Sequence, residues 1–182
     1  MSHAKMLLTT KLFGATIASL VTEAAIHSLD SEDEEMTVTQ YHALRYIRLH
    51  NNPSAGELAE ALQISNAAVT KLIDRLEKKE LVIRGSHPSD RRTMRLQLSA
   101  KGLKISKRLS ETEQANFSQI VARMDPGEIE AFKSGMEGFL KAALITPEQI
   151  DRICQRCGCE HIEDCLGNLQ YARLTGLPKK NV

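Results

Sequence analysis

The sequence predicts a mainly α-helical protein with one small β-hairpin near its middle. Apolar residues recur at helical spacing through most of the 182 residues, and Ser, Thr or Asp stands where several of these stretches begin. The segment 93–98 alternates instead, with Met94, Leu96 and Leu98 on one face, as expected of a β-strand. These observations together favour an α-rich domain that carries a short hairpin.

The composition limits the class of protein. Hydrophobic residues make up 42% of the chain and Pro occurs only 5 times, which favours a packed core over disorder. The 4% of aromatic residues and the lack of Trp argue against carbohydrate sites and base-stacking platforms. Gly, Thr and Ser interrupt the apolar run after Lys11, and Glu23 follows it, so we interpret 5–29 as an amphipathic helix rather than a signal peptide. We therefore expect a cytoplasmic protein that does not bind a membrane.

Charge is distributed unevenly along the chain. The formal net charge is +1, but residues 36–104 contain 12 basic and 6 acidic residues and so carry a net charge of +6. Residues 30–35 are acidic instead. A basic middle indicates a polyanionic partner for that part of the chain, although an ordinary solvated surface would show the same charge.

The basic part begins with a pattern typical of a helix-turn-helix. One helix is predicted to end near His50, before Asn51-Asn52-Pro53. Ser54 and Glu57 have the spacing of a capping box for the next helix, which ends near Leu62. Gln63-Ile64-Ser65 forms a tight turn, and Ser65 is expected to cap a helix that runs to about Lys79.

A hairpin and further helices follow. Residues 81–84 and 93–98 are predicted strands, and the loop 85–92 between them is polar and basic, which turns the helix-turn-helix into a winged helix. Ser99 and Asp125 are predicted to cap helices that end near residues 124 and 143. Thr146 starts a short helix, and the last helix, near 168–174, is expected to stop at Gly176.

This order of elements resembles the MarR family of bacterial transcriptional regulators. The resemblance covers about residues 5–143 in architecture and 37–104 in motif. It is carried by the stretch Leu62 to Val82, the loop Pro88-Ser89-Asp90-Arg91-Arg92 and the step Leu98-Ser99-Ala100-Lys101-Gly102. One departure is Glu80, where the family usually has Gly, so the end of that helix is expected to differ locally.

The resemblance implies four segments. Residues 1–35 would be an N-terminal dimerisation helix with an acidic linker, and 36–98 a winged helix-turn-helix that binds DNA. Residues 99–145 would be C-terminal dimerisation helices, and 146–182 a Cys-rich extension that core family members lack.

The predicted DNA contacts lie on the second helix of the motif and on the wing. Side chains near the start of such a helix reach base edges in the major groove, so Asn66 could read adenine and Ala67 or Ala68 a thymine methyl group. By resemblance, one wing arginine enters the minor groove and Asp90 orients its neighbour. The full predicted set is Ser65, Asn66, Ala67, Thr70, Lys71, Arg75, Asp90, Arg91, Arg92 and Arg95.

The flanking helices suggest self-association. Their apolar faces have no partner inside a winged helix of about 70 residues, so we expect a homodimer that reads an inverted repeat of double-stranded DNA. The alternative is that these helices close a monomeric core. The resemblance also implies a small-molecule effector bound between the dimerisation helices and the winged helix. Met36, His42 and Tyr46 are candidate lining residues, although core packing explains them equally well.

Five soft ligands lie close together near the C-terminus. Cys154, Cys157, His161 and Cys165 have nearly zinc-knuckle spacing, whereas Cys154, Cys157, Cys159 and Cys165 would suit zinc or an iron–sulfur cluster. One straight helix cannot gather either set, so Gly158 would have to turn the chain. Reduced surface thiols, or a disulfide formed on oxidation, are the alternatives to a metal.

The sequence as a whole predicts a homodimeric DNA-binding transcriptional regulator that acts as a repressor. A small molecule, or a metal or redox change at the cysteines, would modulate it. We expect no enzyme, because the chain has no phosphate-binding Gly-rich loop and no nucleophile or paired-carboxylate motif. The alternative is a winged helix that docks a protein and has no specific operator.

Overall fold

The computed structural model describes residues 2–29, 35–86, 94–160 and 162–179. Its N-terminal helix consists of α1 (His3–Ile17), a π-helical segment (Ala18–Glu23) and α2 (Ala24–His27). The elements that follow are α3 (Val38–Leu49), α4 (Ala55–Leu62), α5 (Asn66–Lys78), β1 (Val82–Ser86), β2 (Met94–Leu98), α6 (Ala100–Val121), α7 (Pro126–Ala143), α8 (Pro147–Cys157) and α9 (Leu166–Thr175). The predicted fold class, mainly helical with a small antiparallel hairpin, is confirmed.

Local hydrogen bonds explain where most helices begin. Ser54 accepts from the backbone N–H of Glu57, whose carboxylate accepts from the backbone N–H of Ser54. The predicted caps Ser65, Ser99 and Asp125 likewise accept from the backbone three residues on. These bonds satisfy N–H groups that a helix start leaves unpaired, so α4 to α7 begin where the sequence indicates.

Helices α3, α4 and α5 enclose the main core. Leu44 of α3, Leu58 of α4 and Ile73 and Leu76 of α5 are all essentially inaccessible to solvent. Together they form one cluster with Leu81 and Leu96, the residues that flank and build the hairpin. Burial of this apolar surface holds α5 in a fixed position, with its opposite face in solvent.

The wing is anchored at its base. Strands β1 and β2 pair antiparallel from Val82 opposite Leu98 to Ser86 opposite Met94. The N–H of Leu96 also donates to the carbonyl of Pro53 at 2.9 Å, so the segment before α4 lies along the outer edge of β2. Leu96 is buried as predicted, but Met94 is exposed, because it lies where the hairpin leaves the core. The tip, residues 87–93, lies outside the described residues.

The connection from α5 to β1 contains a residue in the left-handed conformation, and this residue is Glu80 rather than Gly. Glu80 has φ of 59°, so the conformation usual for Gly after this helix is retained, and the expected local difference is not found.

Gly102, in the first turn of α6, lies against the backbone of Leu81 just before β1. A Cβ there would lie 2.0 Å from the carbonyl oxygen of Leu81, so only Gly permits this close approach.

The N-terminal helix and α7 expose extensive apolar surface. No residue of α1 or of α7 is buried. Leu8, Leu12 and Phe139 are each more than 60% exposed, although the rings of Phe13 and Phe132 touch edge to face at 5.6 Å between centroids. The span His3–His27 is long and apolar enough to cross a membrane, a property that core helices of soluble proteins and signal sequences share.

The C-terminal extension folds back along the chain. Leu144 and Ile150 are buried at the α7–α8 connection. The side-chain amide of Gln170 in α9 donates to the carbonyls of Leu144 at 2.9 Å and Lys141 at 3.2 Å, which satisfies the open end of α7. Helix α8 also contacts α4. The extension therefore joins the end of α7 to the winged helix.

Candidate nucleic-acid interface and cysteine-lined cleft

Helix α5 divides into a buried and an exposed face. Val69, Leu72, Ile73 and Leu76 face the core. All six predicted contacts on and just before this helix are exposed: Ser65, Asn66, Ala67, Thr70, Lys71 and Arg75. The structure therefore brings them together on one surface that a groove of DNA could reach.

Two of these residues already have hydrogen bonds within the helix. The Ser65 hydroxyl oxygen accepts from the N–H of Ala68 at 3.2 Å, as a helix cap does. The Thr70 hydroxyl donates to the carbonyl of Asn66 at 2.8 Å. Both hydroxyl groups are hydrogen-bonded to the backbone of α5. Of the six predicted contacts, Asn66, Lys71 and Arg75 are therefore the exposed polar side chains best placed to contact an external partner.

Two acidic side chains on α5 pair with one arginine of the wing. Arg84 of β1 forms ion pairs with Asp74 and, at 2.9 Å, with Glu77. These two carboxylates would otherwise repel a phosphate backbone beside Lys71 and Arg75. The pairing offsets part of this negative charge on α5.

Arg95 lies at the base of the wing. Its guanidinium pairs with Glu57 at 3.0 Å and donates to the carbonyl of Asn52 at 3.3 Å. Glu57 also belongs to the capping box of α4, so Arg95 ties β2 to the start of that helix. Its predicted contact with DNA stays a prediction. Asp90, Arg91 and Arg92, the other wing residues predicted to bind DNA, lie outside the described residues.

A polar cluster that the sequence did not predict joins the N-terminal helix, α3 and α6. It is formed by Thr22, Tyr41, Arg45 and Glu113 and is called here the Glu113 cluster. The Glu113 carboxylate of α6 accepts from the Thr22 hydroxyl at 2.5 Å and from the Tyr41 hydroxyl at 2.7 Å. It also pairs with Arg45 at 3.4 Å, and that guanidinium lies over the Tyr41 ring. No local pattern marks these residues, because Glu113 lies far along the chain from its partners.

Burial shifts the ionisation of side chains at this cluster. It raises the pKa of Tyr41 to about 12, helped by the hydrogen bond to Glu113, so this phenol keeps its proton. Burial, followed by the positive charge of Arg45, lowers the pKa of His42. His42 is therefore neutral at physiological pH.

A cleft of about 1240 Å³ lies between the winged helix and the extension. Helix α3 contributes His42, Arg45, Tyr46 and Arg48 to one wall of the cleft. The extension contributes the other wall, which includes Cys154, Cys157, Cys159 and Cys165. Two of the predicted effector-lining residues, His42 and Tyr46, therefore face this cleft, whereas Met36 is buried in the core. Arg48 pairs with Glu160 across the cleft at 3.0 Å.

The four cysteines are free thiols in two groups. Cys157 and Cys159 are exposed on either side of Gly158, which turns the chain with φ of 68°, as the sequence required. Cys154 and Cys165 are half-buried beside Gly167, with Sγ atoms 3.4 and 3.8 Å from the position of its absent Cβ.

The predicted metal ligands are not assembled in the part of the chain that is described. There, no three His, Cys, Asp or Glu side chains are placed to hold a metal ion, so the set of four thiolates is not gathered. The other set includes His161, which lies outside the described residues, and stays a prediction.

Cys157 and Cys159 differ in acidity because they interact. The interaction with the neighbouring Cys159 is the main reason that the pKa of Cys157 falls to about 6, and the nearby Arg45 lowers it further. The interaction with Cys157, together with burial, raises the pKa of Cys159. The pair therefore loses one proton readily and holds the second.

The fold and the exposed, basic α5 define a winged helix-turn-helix protein. Residues 36–94 match the sequence model of the MarR family. The match covers residues 36–94, so the resemblance inferred from the sequence is confirmed for the winged-helix part of the chain.

Named relatives agree with this assignment. The HTH-type transcriptional repressor MdtR of Bacillus subtilis is 34% identical over 71 residues, which are 39% of this chain and 46% of MdtR. A putative transcriptional regulatory protein for the hcr operon of Thauera aromatica is 29% identical, over 52% of this chain and 57% of the relative. The chain thus covers about half the length of these relatives.

Solved structures share the fold over more of the chain. FabT of Streptococcus pneumoniae, solved in complex with DNA, has a TM-score of 0.63 at 17% identity and covers 76% of this chain and 96% of FabT. Apo MarR from E. coli has a TM-score of 0.60 at 20% identity and covers 77% of this chain and 98% of MarR. At these identities the similarity establishes the fold.

Proposed function

We propose that this protein is a transcriptional regulator that binds double-stranded DNA as a homodimer and represses the genes it controls. The observation that carries the proposal is the exposed face of α5, where Asn66, Lys71 and Arg75 share one surface while the opposite face packs in the core. An α-helix held in this way fits the major groove, and its first turn reaches base edges.

Salt dependence tests the DNA contact. The binding site is first located by genomic footprinting, and affinity for that duplex is measured by fluorescence anisotropy at several salt concentrations. Each lost phosphate contact reduces the salt slope by about one, so we expect Lys71→Ala and Arg75→Ala to weaken binding and flatten the slope. Lys133→Ala, an exposed change on α7, is the matched control. Weak, salt-insensitive binding would favour a protein-docking module instead.

Asn66 is the residue proposed to read a base. A bidentate contact to adenine contributes about 1–3 kcal/mol of discrimination, so Asn66→Ala should weaken specific binding by that amount and leave non-specific binding unchanged. Equal losses on specific and unrelated duplexes would show that Asn66 contacts only the backbone.

One of the wing arginines is proposed to enter the adjacent minor groove. Replacing both Arg91 and Arg92 by Ala should cost several kcal/mol of operator binding, by analogy with the cost of removing direct contacts, without unfolding the protein. Unchanged affinity in a gel-shift titration would contradict this role. Circular dichroism of the double variant checks that the fold is intact.

Self-association follows from the apolar faces of α1 and α7. Leu8, Leu12 and Phe139 are too exposed to stabilise a monomer, and a second copy would cover them. Sedimentation at micromolar concentration should show a dimer that Leu12→Glu dissociates, with Lys11→Glu as the control. A monomeric wild-type protein would rule out the dimer.

The exposed N-terminal helix also bears on where the protein is found in the cell, because it is apolar enough to cross a membrane. We propose a cytoplasmic protein whose N-terminal helix is covered by the second copy rather than by lipid. In a flotation assay the protein should stay at the bottom of the gradient when mixed with liposomes. Co-flotation that Leu12→Glu abolishes would instead assign the helix to a membrane.

Modulation is proposed to act through the cleft or the cysteines. A small molecule could occupy the cleft between α3 and the extension, and zinc could bind Cys154, Cys157 and Cys165 together with His161. Metal analysis of anaerobically purified protein tests the second idea. Less than about a tenth of an equivalent per chain would remove it.

A further inference from the structure

We propose that Cys157 and Cys159 form an oxidative modification site, a dithiol that a hydroperoxide converts to an intramolecular disulfide. We infer also that this change is transmitted to α3 through Arg45. The site itself is independent of DNA binding, whereas any effect on operator affinity rests on the proposed function.

The backbone brings the two thiols together. Cys157 is the last residue of α8, and Gly158 then reverses the chain in a left-handed conformation. The Cys157 thiol donates to the carbonyl of Cys154 at 3.4 Å and the Cys159 thiol to the carbonyl of Cys157 at 3.6 Å, and both side chains are exposed on the cleft. Consecutive Cα atoms lie about 3.8 Å apart, so a turn at the middle residue places the outer two within the span that a disulfide bridges.

The other thiols are less suited to this reaction. Cys154 and Cys165 are half-buried beside Gly167, and their Sγ atoms lie 3.4 and 3.8 Å from the position that a Cβ of Gly167 would take. An oxidant entering from solvent therefore meets Cys157 and Cys159 first. This difference in exposure makes the inner pair a matched control for the outer one.

The reaction balances with one hydroperoxide per disulfide. The peroxide oxygen–oxygen bond breaks, one Cys sulfur is first oxidised to a sulfenic acid, and the hydroperoxide leaves as an alcohol. The second thiol then attacks that sulfur, the sulfur–sulfur bond forms, and water leaves. Two electrons pass from the thiols to the hydroperoxide; the hydrogen of the first thiol ends in the alcohol and that of the second in the water.

The turn lies against Arg45 with no free space between them. A Cβ on Gly158 would be 2.2 Å from Nε of Arg45, so any movement of this turn toward α3 displaces the guanidinium. Arg45 is one of the partners of Glu113 in the Glu113 cluster, which links α3 to α6 and the N-terminal helix. Closing a small disulfide ring changes the dihedral angles at Gly158, and that change reaches α3 through Arg45.

Mass spectrometry tests the site directly. The reduced full-length protein is treated with one equivalent of hydrogen peroxide, and the remaining thiols are alkylated. We expect a loss of about 2 Da from the chain, with two thiols still alkylated. Trypsin separates Cys154 from the peptide 157–173, and fragmentation of that peptide should place the bond between Cys157 and Cys159.

Matched variants decide which thiols react. Cys157→Ser and Cys159→Ser should each abolish the loss of mass, whereas Cys154→Ser and Cys165→Ser should retain it. A bond that includes Cys154 or Cys165, or no bond at all, would overturn the site. Circular dichroism of each variant confirms that the fold is retained.

Hydrogen exchange and DNA titration test the transmission. Oxidation should change exchange in α3 around Arg45 in the wild type and in Cys165→Ser, but not in Cys159→Ser. On a footprinted duplex, oxidation should change the Kd about fivefold or more. A disulfide that leaves exchange in α3 unchanged would overturn the transmission. If the reduced protein binds no DNA, the proposed function fails, while the mass result still decides the site.

Discussion

At the scale of single residues, positive φ angles control two chain reversals. Glu80 holds a left-handed conformation after α5, which costs a residue with a Cβ about 1 kcal/mol relative to Gly. We predict that Glu80→Gly raises the free energy of unfolding by about 0.5–1 kcal/mol, measured by urea denaturation. Lys71→Gly, an exposed change in the interior of α5, should lower it by about 1 kcal/mol. A destabilising Glu80→Gly would mean that the Glu side chain contributes more than its backbone strain.

Gly158 combines a positive φ with a close neighbour. Gly158→Ala should strain the backbone and also push Arg45 away, because the new Cβ would overlap its guanidinium. We predict faster proteolysis of the extension in this variant. Gly176→Ala has similar strain, with φ of 75°, but nothing lies within 4 Å of its Cβ, so it should leave the extension docked. Equal protease sensitivity of the two variants would show that strain, not the contact with Arg45, is responsible.

At the scale of elements, α3 carries a histidine that resists protonation. Burial and Arg45 lower the pKa of His42, with Glu113 opposing them, so the unfolded chain binds this proton more readily than the folded one. Stability should therefore be complete above about pH 6.5 and fall as the pH drops below it. In urea denaturation at pH 7.5 and 5.5, His42→Gln should lose part of this dependence, whereas exposed His3→Gln should keep it. Identical profiles for wild type and His42→Gln would contradict the assignment.

At the scale of the whole molecule, the Glu113 cluster connects the winged helix to the helices around it. Glu113→Ala would leave Arg45, which is 16% exposed, without its carboxylate. We predict a loss of about 2 kcal/mol of unfolding free energy in denaturation at fixed protein concentration, because partial exposure reduces the cost of a fully buried unpaired charge. Exposed Glu111→Ala is the control and should change little. A loss no larger than the control's would show that solvent already screens the ion pair.

The sequence alone determined the features that depend on near neighbours. Ser54, Ser65, Ser99 and Asp125 each bond a backbone group three residues away, so the starts of α4 to α7 follow from short patterns. Helical spacing likewise separated the buried face of α5 from its exposed residues. The fold class and the candidate DNA-binding surface could be predicted for this reason.

Only the tertiary structure decided which distant groups meet. Arg45 and Glu113, or Arg95 and Glu57, belong to separate elements, and no local pattern records their pairing. The grouping of the cysteines depended likewise on how the extension returns to α3. Spacing suggested one shared site, whereas the fold separates an exposed pair from a half-buried one. Such pairings arise when packing of the apolar core fixes the relative positions of elements, which a linear pattern does not encode.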